Sequence, residues 1–125
     1  MAWDRHFALQ YYRARRHLFE NRMDSIQTRR GCQHCGHESP AAWCFDFHHL
    51  RDKAFPLHNA ANFSWSKVVA ELEKCAVLCV MCHRYVHIFG PNKELRPLRL
   101  RPHERQNPST FAQIKDYLKN FTKNP

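Results

Sequence analysis

The sequence predicts a small α+β fold, with a metal-pinned core carrying two cysteine knuckles and a helix on either flank. Three observations carry this. Two Cys-x-x-Cys pairs, Cys32/Cys35 and Cys79/Cys82, bracket the middle of the chain. A short alternation of apolar and polar residues, Phe45 to Phe47, runs into two adjacent histidines, His48 and His49. On both sides of this region apolar residues recur at helical spacing. A chain of 125 residues has room for one modest core. Small folds of this size often add bound metal to hydrophobic volume. The expected divisions are a basic helix over 1–30, a metal-bearing core over 31–89, and a basic extended segment with a last helix over 90–125.

Taken in order, residues 4–29 read as a helix. Phe7, Tyr11, Ala14 and Leu18 form one stripe, and Tyr12, Phe19, Met23 and Ile26 form another beside it. Gly31 ends it. Residues 31–42 begin as a knuckle, Gly31-Cys32-Gln33-His34-Cys35-Gly36, whose glycines let backbone amides turn toward the sulfurs. Either His34 or His37 could be a ligand, but a solvated loop histidine is the plainer reading of both, because the cysteines already have partners downstream. Residues 43–48 read as a strand, with Trp43, Phe45 and Phe47 on one face and Cys44, Asp46 and His48 on the other. His49 leaves the strand, and a second short strand or an irregular loop runs to about Asn62. Ser64 caps a helix over 65–74 that turns Trp65, Val68, Val69 and Leu72 inward. Residues 76–89 give a turn at the second cysteine pair and then a helix bearing His83 and His87, which Gly90-Pro91 ends. Pro97 and Pro102 keep 91–106 extended. Asn107-Pro108 starts the last helix, Asn as cap and Pro in first position. Its apolar face is Phe111, Ile114, Leu118 and Phe121, and Lys115, Lys119 and Lys123 form a basic row.

The formal charge of +9 is unevenly placed. Residues 1–30 carry seven Arg against three acids, residues 31–88 five of each sign, and residues 89–125 eight basic against three acidic. A neutral centre with basic flanks suits a polyanion gripped around a site. A solvated basic surface is the plainer reading. No apolar run is long enough to span a membrane, and the start, Met-Ala-Trp-Asp-Arg, has no apolar signal core. These features lead us to expect a cytoplasmic protein whose cysteines bind metal rather than pair as disulfides.

Four thiolates from the two pairs close a tetrahedral zinc site with no open position, which marks the zinc as structural. Cys44 and Cys75 are left as buried free cysteines, although Cys75, four residues before Cys79, is an alternative ligand. His83 and His87 are spaced i, i+4, so their rings share a helix face. His48 can supply a third nitrogen. Three imidazoles with open positions would hold one catalytic divalent ion, to which a phosphate oxygen can bind. His49 points to the other side of the backbone from His48, and histidine is well suited to taking a proton from water. Asp46 shares the His48 face, and is either an acceptor that orients a ligand histidine or a partner for arginine.

The ordered set Cys32-x2-Cys35, Phe47-His48-His49, Lys53-Ala54-Phe55, Glu73-Lys74-Cys75 and Leu78-Cys79-x2-Cys82-His83-x3-His87 resembles the HNH endonucleases. Within them it is similar to small phage and bacterial members with the ββα-metal (His-Me finger) fold. The likeness covers roughly residues 30–88. It implies His49 as general base, His48, His83 and His87 on a catalytic ion such as Mg2+, Mn2+ or Ni2+, and structural Zn2+ on the four cysteines. It also implies that Lys53 lies near phosphate. In the family an Asn orients the base histidine. Here Met81 holds the slot where close relatives often read Asn, neither Asn59 nor Asn62 is persuasively spaced to replace it, and a backbone carbonyl is one substitute, so the orienting group is left open.

The expected function is therefore a metal-dependent DNA endonuclease of low sequence specificity, acting on double-stranded DNA. Arg84, Arg13, Arg16, Arg99 and Arg101 are its expected phosphate contacts. The alternative is a non-catalytic zinc module that binds nucleic acid. Such a module has no need of His48, His49, His83 and His87 together. A homodimer would suit double-strand cutting, but no heptad or apolar patch in the sequence marks one.

Overall fold

The computed structural model describes residues 4–123, with side chains through residue 120. The first helix, α1 (Arg5–Arg30), starts where the Asp4 carboxylate accepts a hydrogen bond from the Phe7 amide at 2.7 Å. It stops at Gly31, whose φ of 67° and ψ of −174° favour glycine. Of the two stripes read from the sequence, the one bearing Phe19, Met23 and Ile26 is buried, while Tyr12 at its start is exposed.

A 3-10 turn over Ala42–Cys44 leads into β1 (Phe45–His49). This corrects the expected face pattern. Trp43 lies in the turn rather than the strand and is 81% exposed. His49 does not leave the strand but is its last residue. The next stretch forms no strand. It is a loop and a 3-10 segment over Leu57–Asn62, followed by α2 (Trp65–Leu72), capped by Ser64 as expected.

The partner of β1 is β2 (Cys75–Cys79), where the sequence suggested only the approach to a turn. The two pair antiparallel, with Phe45 opposite Cys79 and His49 opposite Cys75. All five β2 residues are buried. A strand covered on both faces shows no alternation for a sequence pattern to catch. The chain then enters α3 (Val80–Phe89) with no residue between. The result is a mixed α/β arrangement, a short hairpin flanked by helices. One face of the hairpin meets α3 through His48, and the other meets α2 through His49.

The C-terminal segment is tied into this body. Leu98 donates its backbone N–H to the Cys75 carbonyl at 2.7 Å, and Leu98 and Leu100 are buried. Residues 91–106 are not extended throughout, because α4 (Pro102–Arg105) interrupts them with Pro102 at its first position. The Glu104 carboxylate, 1% exposed, accepts two bonds from Arg30 and one from the Arg101 amide. Trp65 packs edge-on against Phe19 and donates its indole N–H to the Glu104 carbonyl. Arg22 reaches the carbonyls of His103, Glu104 and Gln106. Arg22 and Arg30 of the basic N-terminal flank therefore bind this protein's own backbone and carboxylates.

The last helix, α5 (Phe111–Lys123), starts later than Asn107-Pro108 suggests. The Asn107 side chain accepts from both the backbone amide and the hydroxyl of Ser109, closing a turn instead of a cap. Thr110 and Gln113 then bond each other's backbone amides. Ile114 is buried and Leu118 half-buried, but Phe111 is 64% exposed. The side chains of Phe121 and Lys123 lie outside the described residues. No helix among the described residues is long and apolar enough to cross a membrane.

Candidate metal and catalytic site

Two groups of ligating side chains form around the β2–α3 junction. The first is Cys32, Cys35, Cys79 and Cys82, whose sulfurs all lie within 4.8 Å of one another. In each pair the first cysteine accepts a backbone N–H from the second, Cys35 to Cys32 Sγ and Cys82 to Cys79 Sγ, both at 3.4 Å. Cys79 is also the N-cap of α3, so its sulfur sits at the positive end of a helix dipole. The Cys35 and Cys79 sulfurs are 3.8 Å apart. Two thiolates about 2.3 Å from a common tetrahedral zinc stand about 3.8 Å from each other, so the spacing fits.

Charge argues the same way. Burial opposes the Cys32 thiolate, yet backbone groups of Cys79, Cys35 and His34 bring its pKa down to about 7. Burial and hydrogen bonds with its three neighbours push Cys82 up. The His37 backbone favours the Cys35 thiolate, but burial and Cys32 outweigh it and raise the pKa. Four sulfurs this close can all be thiolates only around a cation, and the set can hold a structural zinc. His34 is not a free loop histidine. It stands 3.4 Å from Cys82 Sγ and accepts the Asn92 amide on its other nitrogen. Cys75 stays out of the set. Its buried thiol faces the Glu71 carbonyl, and burial, with the Glu71 charge, pushes its pKa up to about 12.

The second group is His48, His83 and His87, again with ligand atoms within 4.8 Å. β1 supplies the first and one face of α3 supplies the other two. The His83 and His87 Nε2 atoms are 3.0 Å apart. That separation matches the edge of an octahedron with bonds of about 2.1 Å. Asp46 Oδ2 is 3.0 Å from His83 Nδ1. A carboxylate there accepts Nδ1–H and leaves the Nε2 lone pair free for a metal. Burial, then the charges of His83, His87 and His49, lower the His48 pKa and keep that ring neutral, the form that ligates. The group can hold one divalent ion with positions left open.

His49 takes the opposite side of β1, as strand alternation requires. Its Nε2 lies 2.8 Å from the Glu71 carboxylate on α2. Sequence reasoning missed Glu71, leaving this partner open with a backbone carbonyl as one substitute. Glu71 is 2% exposed and also accepts the Ala54 amide and the Lys74 ammonium. Burial alone would raise its pKa, but Lys74, the Ala54 amide and His49 hold it below the usual carboxylate range. One signal was available: Glu71 falls three residues after Val68 on the inward face of a short apolar helix.

The basic residues named from sequence are exposed: Arg13 and Arg16 on α1, Lys53 after β1, Arg84 on α3, and Arg99 and Arg101 beside α4. Lys53 is close enough to Cys75, the strand partner of His49, to favour its thiolate. Arg84 lies between His83 and His87 in sequence. Arg16 pairs with Glu20. The outer face of α3 carries an exposed apolar stripe, Met81, Tyr85, Ile88 and Phe89, that the sequence did not disclose. Comparison with family models, with curated proteins and with solved structures finds no match for this chain.

Proposed function

We propose that this chain is a metal-dependent endonuclease that hydrolyses phosphodiester bonds in DNA. The carrying observation is the division of one strand end. His48 joins His83 and His87 in a three-nitrogen group, while His49 beside it is held out of that group on a buried carboxylate. A binding module needs the cysteines alone. It gives no reason to gather three imidazoles or to bury a glutamate under a fourth.

The cysteines hold zinc and fix the start of α3, and with it the direction of His83 and His87. A divalent ion on His48, His83 and His87 would supply positive charge to the scissile phosphate and the leaving oxygen. His49 takes a proton from water as its oxygen bonds to phosphorus. The bond to the 3′ oxygen breaks, and that oxygen takes a proton from solvent. Asp46 keeps the His83 Nε2 lone pair available. Lys53 and Arg84, exposed beside the two histidine sites, bind flanking phosphates, and Arg13, Arg16, Arg99 and Arg101 extend that contact. Such contacts read no bases, so cutting has low sequence specificity.

The test is nicking of supercoiled plasmid with Mg2+, Mn2+ or Ni2+, comparing wild type with His49→Ala and His83→Ala. Cutting by wild type alone is expected. Equal cutting by His49→Ala removes His49 as base, and no cutting by any protein with any ion leaves the binding module. In a binding assay, Lys53→Gln and Arg84→Gln are each expected to lower the salt slope by about one.

A further inference from the structure

The Glu71–His49 contact ties two elements that the sequence separates by 22 residues. The glutamate is fixed from several directions. Its Oε2 atom accepts both His49 and the Ala54 amide, the latter at 3.0 Å. Its Oε1 atom accepts Lys74 Nζ at 2.9 Å, and Lys74 Nζ also donates to the Asp52 carbonyl. The loop after β1 is thus held at Asp52 and Ala54, and the carboxylate cannot swing away from His49 without breaking those bonds. The His49 side chain is 14% exposed, so little water competes for Nε2.

A carboxylate surrounded by donors has no proton to give. The imidazole nitrogen that faces it must therefore carry the hydrogen. We propose that Glu71 is the positioning residue for His49: it fixes the Nε2–H tautomer and ring direction, leaving the Nδ1 lone pair to take the proton from water. This deepens the nuclease reading above and rests on it. Nδ1 makes no hydrogen bond among the described residues, as the accepting nitrogen of a base should not before substrate binds. The role is one that Asn has in the resembled family, here carried by a different residue from a different element. The slot where close relatives read Asn is occupied by Met81, 73% exposed on the outer face of α3.

Two readouts separate positioning from mere support of the fold. The first is the His49 tautomer in zinc-loaded protein, from long-range 1H–15N correlations. Wild type is expected to show Nε2–H alone, and a dominant Nδ1–H form overturns the proposal before any variant is made. The second is Glu71→Ala in the nicking assay. The expected result is a kcat loss of roughly 100-fold with KM little changed and zinc content intact. Formate, small enough for the vacated space, should restore part of the rate and the Nε2–H signal. Should Glu71→Ala not fold, Glu71→Asp keeps the charge but draws it back by one methylene, and the same loss is expected. Wild-type kcat with an unchanged His49 tautomer in either variant overturns the proposal while the nuclease reading stands. If wild type does not cut, the nuclease reading fails, and the tautomer alone decides whether Glu71 orients His49.

Discussion

Replacing Glu104 by Gln should weaken the fold, and the loss should depend on pH in a way the structure specifies. Glu104 is almost fully buried and takes both guanidinium nitrogens of Arg30, at 2.7 and 2.8 Å. The Arg30 bonds, helped by the Arg101 amide, outweigh burial and lower its pKa from the ordinary 4.5 to about 2. A carboxyl depressed in the folded state stabilises it fully above the unfolded value and loses that contribution as pH falls through the folded value. The window here runs from about pH 4.5 down to about pH 2. The displacement corresponds to about 3 kcal/mol at pH 7 and about 2 kcal/mol at pH 3.5. The assay is urea denaturation of wild type and Glu104→Gln at both pH values. The gap should be largest at pH 7 and shrink by about 1 kcal/mol at pH 3.5. No gap at pH 7, or the same gap at both, refutes the assignment of Glu104 as the ionised clamp between α1 and α4.

Three further outcomes follow from the same geometry. Cys79→Ser removes one of the four sulfurs while its hydroxyl can still cap α3, so it tests the metal alone; metal analysis should fall from one tightly bound zinc per chain to none, with the far-UV signal of folding lost in parallel. Gly31→Ala places a residue at φ 67° and a Cβ 3.0 Å from the His37 carbonyl oxygen, a backbone atom that cannot move aside. It should cost about 1–3 kcal/mol, and an unchanged urea midpoint would contradict it. Met81→Asn restores the residue expected from the resemblance but on an exposed position, so it should neither raise wild-type nicking nor rescue Glu71→Ala.

What the sequence disclosed was set by how local each contact is. The cysteine pairs sit at i, i+3 and the helix histidines at i, i+4, so spacing alone brings their side chains together. The division of His48 from His49 needed only the alternation of a strand. β2 left no pattern, because Cys75-Ala76-Val77-Leu78-Cys79 is buried on both faces. The charge count is blind to pairing for a related reason. Arg30 and Glu104 are 74 residues apart, and Arg105 and Glu73 are 32 apart. A net count by segment cannot see either pair, so it does not tell arginines that serve the fold from those free to meet a polyanion.

The same holds at the site, where the residue against His49 comes from a separate element. A base histidine requires an acceptor on one nitrogen, and the requirement is for a lone pair in the right place, whichever residue brings it. A search for Asn near the second cysteine pair looks along the chain for one solution. On the proposed reading Glu71 meets the same need from α2, where an acid on an apolar face would be costly unless fully bonded. Glu71 is bonded to His49, Ala54 and Lys74. A buried glutamate with every bond made, one of them to the histidine beside a three-imidazole group, is a constellation that residue spacing does not announce. It also separates the two histidines by mechanism. His48 is held neutral by burial and its neighbours' charges, and His49 is held in place by a carboxylate.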